Sequence, residues 1–497
     1  MHFLGIEIGH HAVQVGALDL EAARMTARSS RPLEWIEGLP EGYAEQDPAK
    51  WIGAVDQAVR AVLDKLGDAR GAVAAVAVTA PAGGMVALDA DDRIVRPAKR
   101  GCDRSARAEV EEIGRSFGGG PGLIEMTGNA LDAGSMAAQV LWLKQHEPKH
   151  FDRVERLFAA SDFIGYWLTG ESGTSASVAA AGGMLDVPSG KWCAPLVGFI
   201  DENLSSRLPE ILPPRQARGV LRPSLAQAWG LPEGVLVAGG SEIRSAALFA
   251  SGAAVPGNLL ADLSPEGALV ALSEEVRVDY RGEASVGRGI GGHGFTRMEM
   301  RNVVAAPELV RRHYGWDMAE FDHLMAEASP GADGLLFLPY LRGESAPRLP
   351  EGRGVLHGMT LDNFTPANLA RAAAEGVALG FGYAMSRLRD IGFDPGEVRL
   401  THDIGATAGQ MLADVFGVSV VCVGGGGGGL LGAAMQAAVI YFDDRGEHLG
   451  FDEIAGYVVT VNEATRRTPD VALHDYYGEL LARQQYLAET LHESGFL

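Results

Sequence analysis

The residues best placed for chemistry open the chain. Residues 3–8 are an apolar strand that runs into Gly9, and residues 13–18 form a second one; Glu7 and His10 flank the glycine. A hairpin of this kind can present turn N–H groups to an anion, and an ordinary edge hairpin has the same pattern. A second glycine-turn carboxylate lies in Ala238-Gly239-Gly240-Ser241-Glu242-Ile243-Arg244, where the plain role of Glu242 is to complement a helix N-terminus. Six consecutive glycines, Gly424 to Gly429, precede an apolar helical pattern. They read either as a loose strand-to-helix loop or as backbone that must pass close to a ligand. His10, His11, His293 and His402 match no zinc spacing. No Ser-His-Asp arrangement or dinucleotide fingerprint stands in strand-turn-helix context.

These residues need a scaffold, and 497 residues are enough for two to four domains with substantial cores. Hydrophobic residues make up 47% and charged residues 21%, the balance of a globular chain. A net charge of −22 argues against nucleic-acid backbones and anionic membranes as partners, while leaving room for an anionic substrate in a local basic pocket. Three scattered cysteines give neither a disulfide framework nor a metal site, which fits a reducing cytoplasm. Neither a signal core nor a stretch of about 20 apolar residues is present.

Strand patterns at residues 3–8, 73–79 and 85–88 alternate with helical ones at 49–66 and 105–116. A second cycle begins near residue 235. It continues through strands at 259–262 and 268–272, a helix at 366–389, a strand at 398–401, a helix at 409–416, a strand at 418–423 and a helix at 430–440. The spacing predicts two related α/β domains facing one cleft, 1–250 and 251–497, with a C-terminal helix at 474–492 packed back on one of them.

Further segments are similar, in order and separation, to the FGGY carbohydrate kinases, and to their xylulokinase-like branch in particular. They include Met126-Thr127-Gly128-Asn129, Leu141-Trp142-Leu143-Lys144, Ala160-Ser161-Asp162-Phe163 and Leu168-Thr169-Gly170-Glu171. The strongest match is Gly331-Ala332-Asp333-Gly334-Leu335-Leu336-Phe337-Leu338-Pro339-Tyr340-Leu341-Arg342-Gly343-Glu344-Ser345-Ala346-Pro347; Leu412-Ala413-Asp414-Val415 and Leu431-Gly432-Ala433-Ala434 complete the series. The resemblance implies an α/β fold of two actin-like, ribonuclease-H-like ATPase domains flanking a central cleft, the first on the sugar side and the second on the nucleotide side. It also implies ATP and Mg2+ as cofactors, a small hydroxylated substrate and a homodimer.

Carried over residue by residue, the resemblance makes Glu242 the catalytic base and Glu7 the magnesium anchor, each a glutamate where the family has aspartate. Gly9 and His10 fall at the first phosphate turn, where His10 replaces a threonine. Ser264 and Gly267 fall at the second, within Leu260-Ala261-Asp262-Leu263-Ser264-Pro265-Glu266-Gly267 in place of Gly-Thr-Ser-Gly. Pro265 removes a donor there, and a Glu266 carboxylate about 4 Å from a phosphate would cost around 4 kcal/mol at an effective dielectric near 20. Gly405 belongs to an altered adenosine motif, Thr401-His402-Asp403-Ile404-Gly405-Ala406, in which His402 and Asp403 would crowd a base; Gly424 joins the nucleotide side. Asp103, Gly83 and Gly84 are the substrate-side candidates. The expectation is an ATP-dependent sugar or polyol kinase, a pentulose kinase among them. The alternatives are a pseudokinase that binds a sugar-like metabolite or a partner protein, or a different group transfer in the same cleft.

Overall fold

The computed structural model describes residues 1–497 except 254, 256, 266 and 425–427. Its first sheet contains β1 (His2–Ile8), β2 (Ala12–Asp19), β3 (Arg24–Pro32), β4 (Val73–Ala80), β5 (Ala217–Val220), β6 (Leu236–Ala238) and β7 (Ser241–Glu242). The order is β5-β6-β4-β1-β2-β3, with β7 continuing on β4. The β1–β2–β3 meander is antiparallel, and β4 and β6 join it in parallel. Phe3, Leu4, Ile6 and Ile8 are all fully buried, as a central strand covered on both faces requires. One cover consists of α1 (Pro48–Leu66) and α2 (Ala160–Thr169). From Glu242 the chain leaves through α3 (Ile243–Ala250).

A second sheet repeats the plan. Strands β8 (Asn258–Asp262), β9 (Ala268–Ser273), β10 (Ala284–Arg288), β11 (Gly294–Glu299), β12 (Glu397–Leu400), β13 (Ser419–Val423) and β14 (Val461–Arg467) run in the order β10-β11-β9-β8-β12-β13-β14. Again an antiparallel meander (β8, β9, β11) meets two parallel strands (β12, β13). On one face pack α4 (Pro366–Asp390), capped by Thr365 with Pro366 at its first position, and α5 (Gly405–Phe416). The molecule is thus an α/β protein of two similar domains with the actin-like ATPase architecture.

The boundary near residue 250 separates the two sheets but not the two cores. Helix α6 (Gly429–Asp444) comes from the second half, yet it lies on the first sheet beside α3. Its residues from Gly429 to Ile440 are buried all round, which is why its sequence is apolar without a polar face. Helix α3 serves both sides: Phe249 joins the core beneath the first sheet, and Leu248 joins the core beneath β8 and β9. The last helix, α7 (Val471–Glu493), packs Tyr477 and Leu480 into the second core.

Candidate active site

Strand register puts the two carboxylates within one residue of the same level. Glu7 on β1 is opposite Thr79 on β4, and Thr79 is opposite Ser241 on β7, with the Thr79 hydroxyl donating to Ser241 O at 3.1 Å. Glu242 therefore follows about two strand spacings, roughly 10 Å, from Glu7. The glycine turn before it is fixed from both halves. Arg218, paired with Asp162, donates to Gly239 O at 2.9 Å, and Gln436 of α6 donates to Gly240 O at 3.1 Å.

Glu242 is buried and caps α3. Its Oε2 accepts from the N–H groups of Arg244 and Ser245 at 3.0 and 3.1 Å, and its own N–H donates to Ser177 Oγ at 3.1 Å. The other oxygen, Oε1, lies 3.5 Å from Arg297 of β11. Both Ser177 and Arg297 line a polar pocket between the two halves, together with Gly83, Asn129, Asp132 and Ser285. The pocket is closed by Asn129, whose amide donates to Val286 O at 2.9 Å and accepts from Val286 N at 2.7 Å. Burial works against the Arg297 charge, but the carboxylates of Glu299, Glu242 and Asp132 outweigh it and hold the guanidinium protonated.

From Glu242 a line of alternating charges crosses the cleft. Arg297 Nε is 3.2 Å from Glu299 Oε1, that oxygen is 3.8 Å from Arg244 Nε, and Arg244 Nη1 is 2.7 Å from Asp262 Oδ2. Arg297 holds the Glu299 carboxyl below its ordinary range, more strongly than burial raises it, with Arg244 adding to the effect.

Glu7 faces the start of α6. A Cβ on Gly429 would come within 2.8 Å of Glu7 Oε2 and 2.4 Å of Ile243 Cγ1, so the beginnings of α3 and α6 meet at the end of β1 only because residue 429 is glycine. Burial raises the Glu7 pKa, and a hydrogen bond from the Leu430 backbone opposes the rise. Among the described residues no group of three or more His, Cys, Asp or Glu clusters as an all-protein metal cage. Magnesium needs less, one or two carboxylates with phosphates and water completing the shell. Glu7 fits, since among the described residues it accepts, besides the Leu430 contact, a 3.4 Å bond from Gln14.

Other sequence candidates take different positions. Asp103 is fully buried, and its carboxylate is taken by the N–H groups of Ala44 and Ser105 at 2.7 and 3.0 Å, by the Ser105 hydroxyl and by Lys99. It ties the 99–105 loop to residue 44 and does not line the pocket; Asp132, which was not singled out, does. Gly83 lines the pocket at φ +71, and a Cβ there would meet Gly134 O at 2.4 Å. Gly84 lies behind it, bonded to Gly134 O at 3.0 Å. The Gly9 N–H is spent on Ala12 O at 2.9 Å. The His10 ring stacks on Trp35, and burial, Arg100 and His11 push its pKa down to about 4, so it offers an anion no positive charge near neutrality.

In the second phosphate turn, two of the described N–H groups are already engaged. Leu263 N donates to Thr401 Oγ1 and Ser264 N to Asp262 Oδ1, both at 3.0 Å, while Pro265 has no N–H. Gly267 is packed tightly, a Cβ there falling 2.4 Å from Asp262 O. Glu266 and Gly425 to Gly427 lie outside the described residues. Gly424 donates to Thr460 O at 2.7 Å. Gly405 opens α5 at φ +81, with its N–H on Asp403 Oδ1 at 3.0 Å, and the His402 ring turns onto Thr401 Oγ1 at 2.9 Å. Both crowding side chains thus fold back on their own loop.

The N-terminal-domain model of the FGGY family of carbohydrate kinases matches residues 2–250, and the C-terminal-domain model matches 274–441. The chain belongs to this family. It is 29% identical to a xylulose kinase of Escherichia coli over 433 residues, 84% of this chain and 85% of that one. Identity to a xylulose kinase of Haemophilus influenzae is 26% over 430 residues, 85% and 87% of the two chains. In structure it resembles a xylulose kinase from Rhodospirillum rubrum, with a TM-score of 0.91, 27% identity and 99% of both chains covered. A glycerol kinase from Plasmodium falciparum shares the fold at a TM-score of 0.87 and 14% identity, covering 98% of both chains. No helix among the described residues is long and apolar enough to cross a membrane.

Proposed function

We propose that the protein is an ATP-dependent kinase of a small polyhydroxylated sugar, a pentulose of the xylulose type being the first to test. The observation that carries this reading is the pair Glu7 and Glu242, within one residue of the same level on β1 and β7 to either side of β4, beside a polar pocket and at the converging starts of α3 and α6. Helix starts favour negative charge, which is what a transferring phosphoryl brings.

The chemistry follows from the geometry. The substrate hydroxyl gives its proton to Glu242, its oxygen bonds to the γ-phosphorus of ATP, and the bond from that phosphorus to the β–γ bridging oxygen breaks, leaving ADP. The two helix N–H groups on Oε2 fix the orientation of the carboxylate and leave Oε1, the oxygen beside Arg297, to act. Magnesium, when bound, would neutralise phosphate charge, and Glu7 would hold it. Glu242 carries one methylene more than the family's aspartate, and folding back over α3 takes up that extra length.

Two measurements test the reading. Calorimetric titration with ATP and ADP, with and without magnesium, should show magnesium-dependent binding in the micromolar range. ADP release across a panel of pentuloses and polyols should then find the substrate, and Glu242→Gln should abolish turnover while leaving substrate affinity nearly intact. A folded protein that gives no heat with millimolar nucleotide would count against phosphoryl transfer.

A further inference from the structure

Resting on the kinase reading, we infer that Arg244 is a catalytic residue that clamps the transferring phosphoryl group, held ready by Asp262 until nucleotide enters. The need for such a cation is visible in the second turn. Its N–H groups at residues 263 and 264 are engaged within the protein, and residue 265 is proline, so these three positions offer a phosphate no spare N–H donor of the kind this reaction depends on. His10 at the other turn is neutral near pH 7.

Arg244 stands between the two places that must share the phosphoryl. It lies two residues beyond Glu242 in the first turn of α3, and its guanidinium reaches Asp262 at the end of β8, where the second turn starts. The side chain keeps 19% of its surface exposed, so the contact is open to the cleft. Asp262 and Glu299 hold the cation in place in the absence of ligand, at 2.7 and 3.8 Å. Arg244 and Asp262 thus link the helix that follows Glu242 to the strand that leads into the second turn. An arginine fork matches phosphate oxygens in two-point contact, and one supplied from within the same chain stabilises the charge that spreads over the equatorial oxygens during transfer. Arg244 exchanges a carboxylate partner for the γ-phosphate; the proton and the phosphoryl move as already described.

Opposite effects of two substitutions separate this role from a simple ion pair. Affinities of the full-length protein for the ATP analogue AMP-PNP and for ADP, both with magnesium, would be measured by calorimetry for the native chain, Arg244→Ala, Arg244→Lys and Asp262→Asn. The native chain should prefer AMP-PNP, and Arg244→Ala should lower AMP-PNP affinity by about tenfold or more while changing ADP affinity less than about threefold, with Arg244→Lys recovering part of the loss. Asp262→Asn, which removes the carboxylate 2.7 Å from Arg244, should strengthen AMP-PNP binding. An unchanged AMP-PNP to ADP ratio in Arg244→Ala, or losses of the same sign in both variants, would overturn the clamp and leave the kinase reading standing. Absence of nucleotide binding by the native chain would overturn both.

Discussion

Glu242 illustrates how one side chain takes two duties, with one oxygen on its own helix and the other beside Arg297. His10 shows the reverse, a titratable group withdrawn from chemistry. Its folded pKa of about 4 lies below the 6.5 of a free imidazole, so between those values the unfolded chain binds a proton that the native site refuses. Stability is therefore intact above pH 6.5 and is lost as pH falls toward 4, by at most about 3 kcal/mol. Thermal unfolding between pH 7 and 5 should show a steeper fall of Tm for the native chain than for His10→Asn; equal slopes would contradict the assignment. At this scale the sequence was informative where chemistry is local. Glu7 and Glu242 stood out as candidates because each adjoins its own glycine turn. The hold on Asp103 was not legible, because its partner Ala44 N is 59 residues away. Arg297 and Glu299 were missed, although their period-2 spacing beside the buried Thr296 and Met298 is the mark of a strand with one face in polar surroundings.

Among the elements, α6 has the least freedom. A Cβ on Gly432 would lie 1.9 Å from Ala246 O in α3, and one on Gly5 would lie 2.2 Å from Leu430 O, so glycine on each side lets the helix sit between strand and helix. Gly432→Ala is expected to destabilise by several kcal/mol through forced separation of α3 and α6, with a Tm drop of several degrees. Gly380 in α4 meets nothing within 4 Å, and Gly380→Ala should instead stabilise by about 0.5–1 kcal/mol. Equal effects from the two substitutions would refute the close-approach argument. The apolar pattern of residues 430–440 marked this helix correctly. Which sheet it covers was not readable, because an all-round apolar helix carries no directional signal. The β10–β11 hairpin escaped notice for a related reason: its glycine-rich connection, Gly289 to His293, obscured the two short strands.

Across the whole molecule, the two halves are clasped around the pocket. Besides Asn129 on Val286, Arg288 of β10 donates to Val187 O at 2.8 Å and also to Pro188 O. Arg288→Met keeps the apolar stem but loses these bonds; it should raise the substrate KM several-fold with little change in kcat, and scattering should report a larger radius of gyration in the absence of substrate. An unchanged radius and KM would show that closure does not depend on this clasp. The repeated strand order was visible in the sequence as two cycles of strand, glycine turn and strand. The sharing of α3 and α6 between the halves was not, since it depends on packing across long separations.

That sharing has a consequence for how the protein is made. When the first 250 residues have left the ribosome, the face of the first sheet destined for α6 is still bare, and its cover is roughly 190 residues away, on the order of 10–40 s at ordinary synthesis rates. Phe3, Leu18, Ala75 and Ala77 point to that bare face of a sheet whose other face α1 and α2 already protect, so the nascent chain carries a one-sided apolar surface through that interval. The N-terminal half expressed alone should accordingly be aggregation-prone, and a trigger-factor-like holdase should engage the growing chain until the helix beginning at Gly429 arrives to seal it.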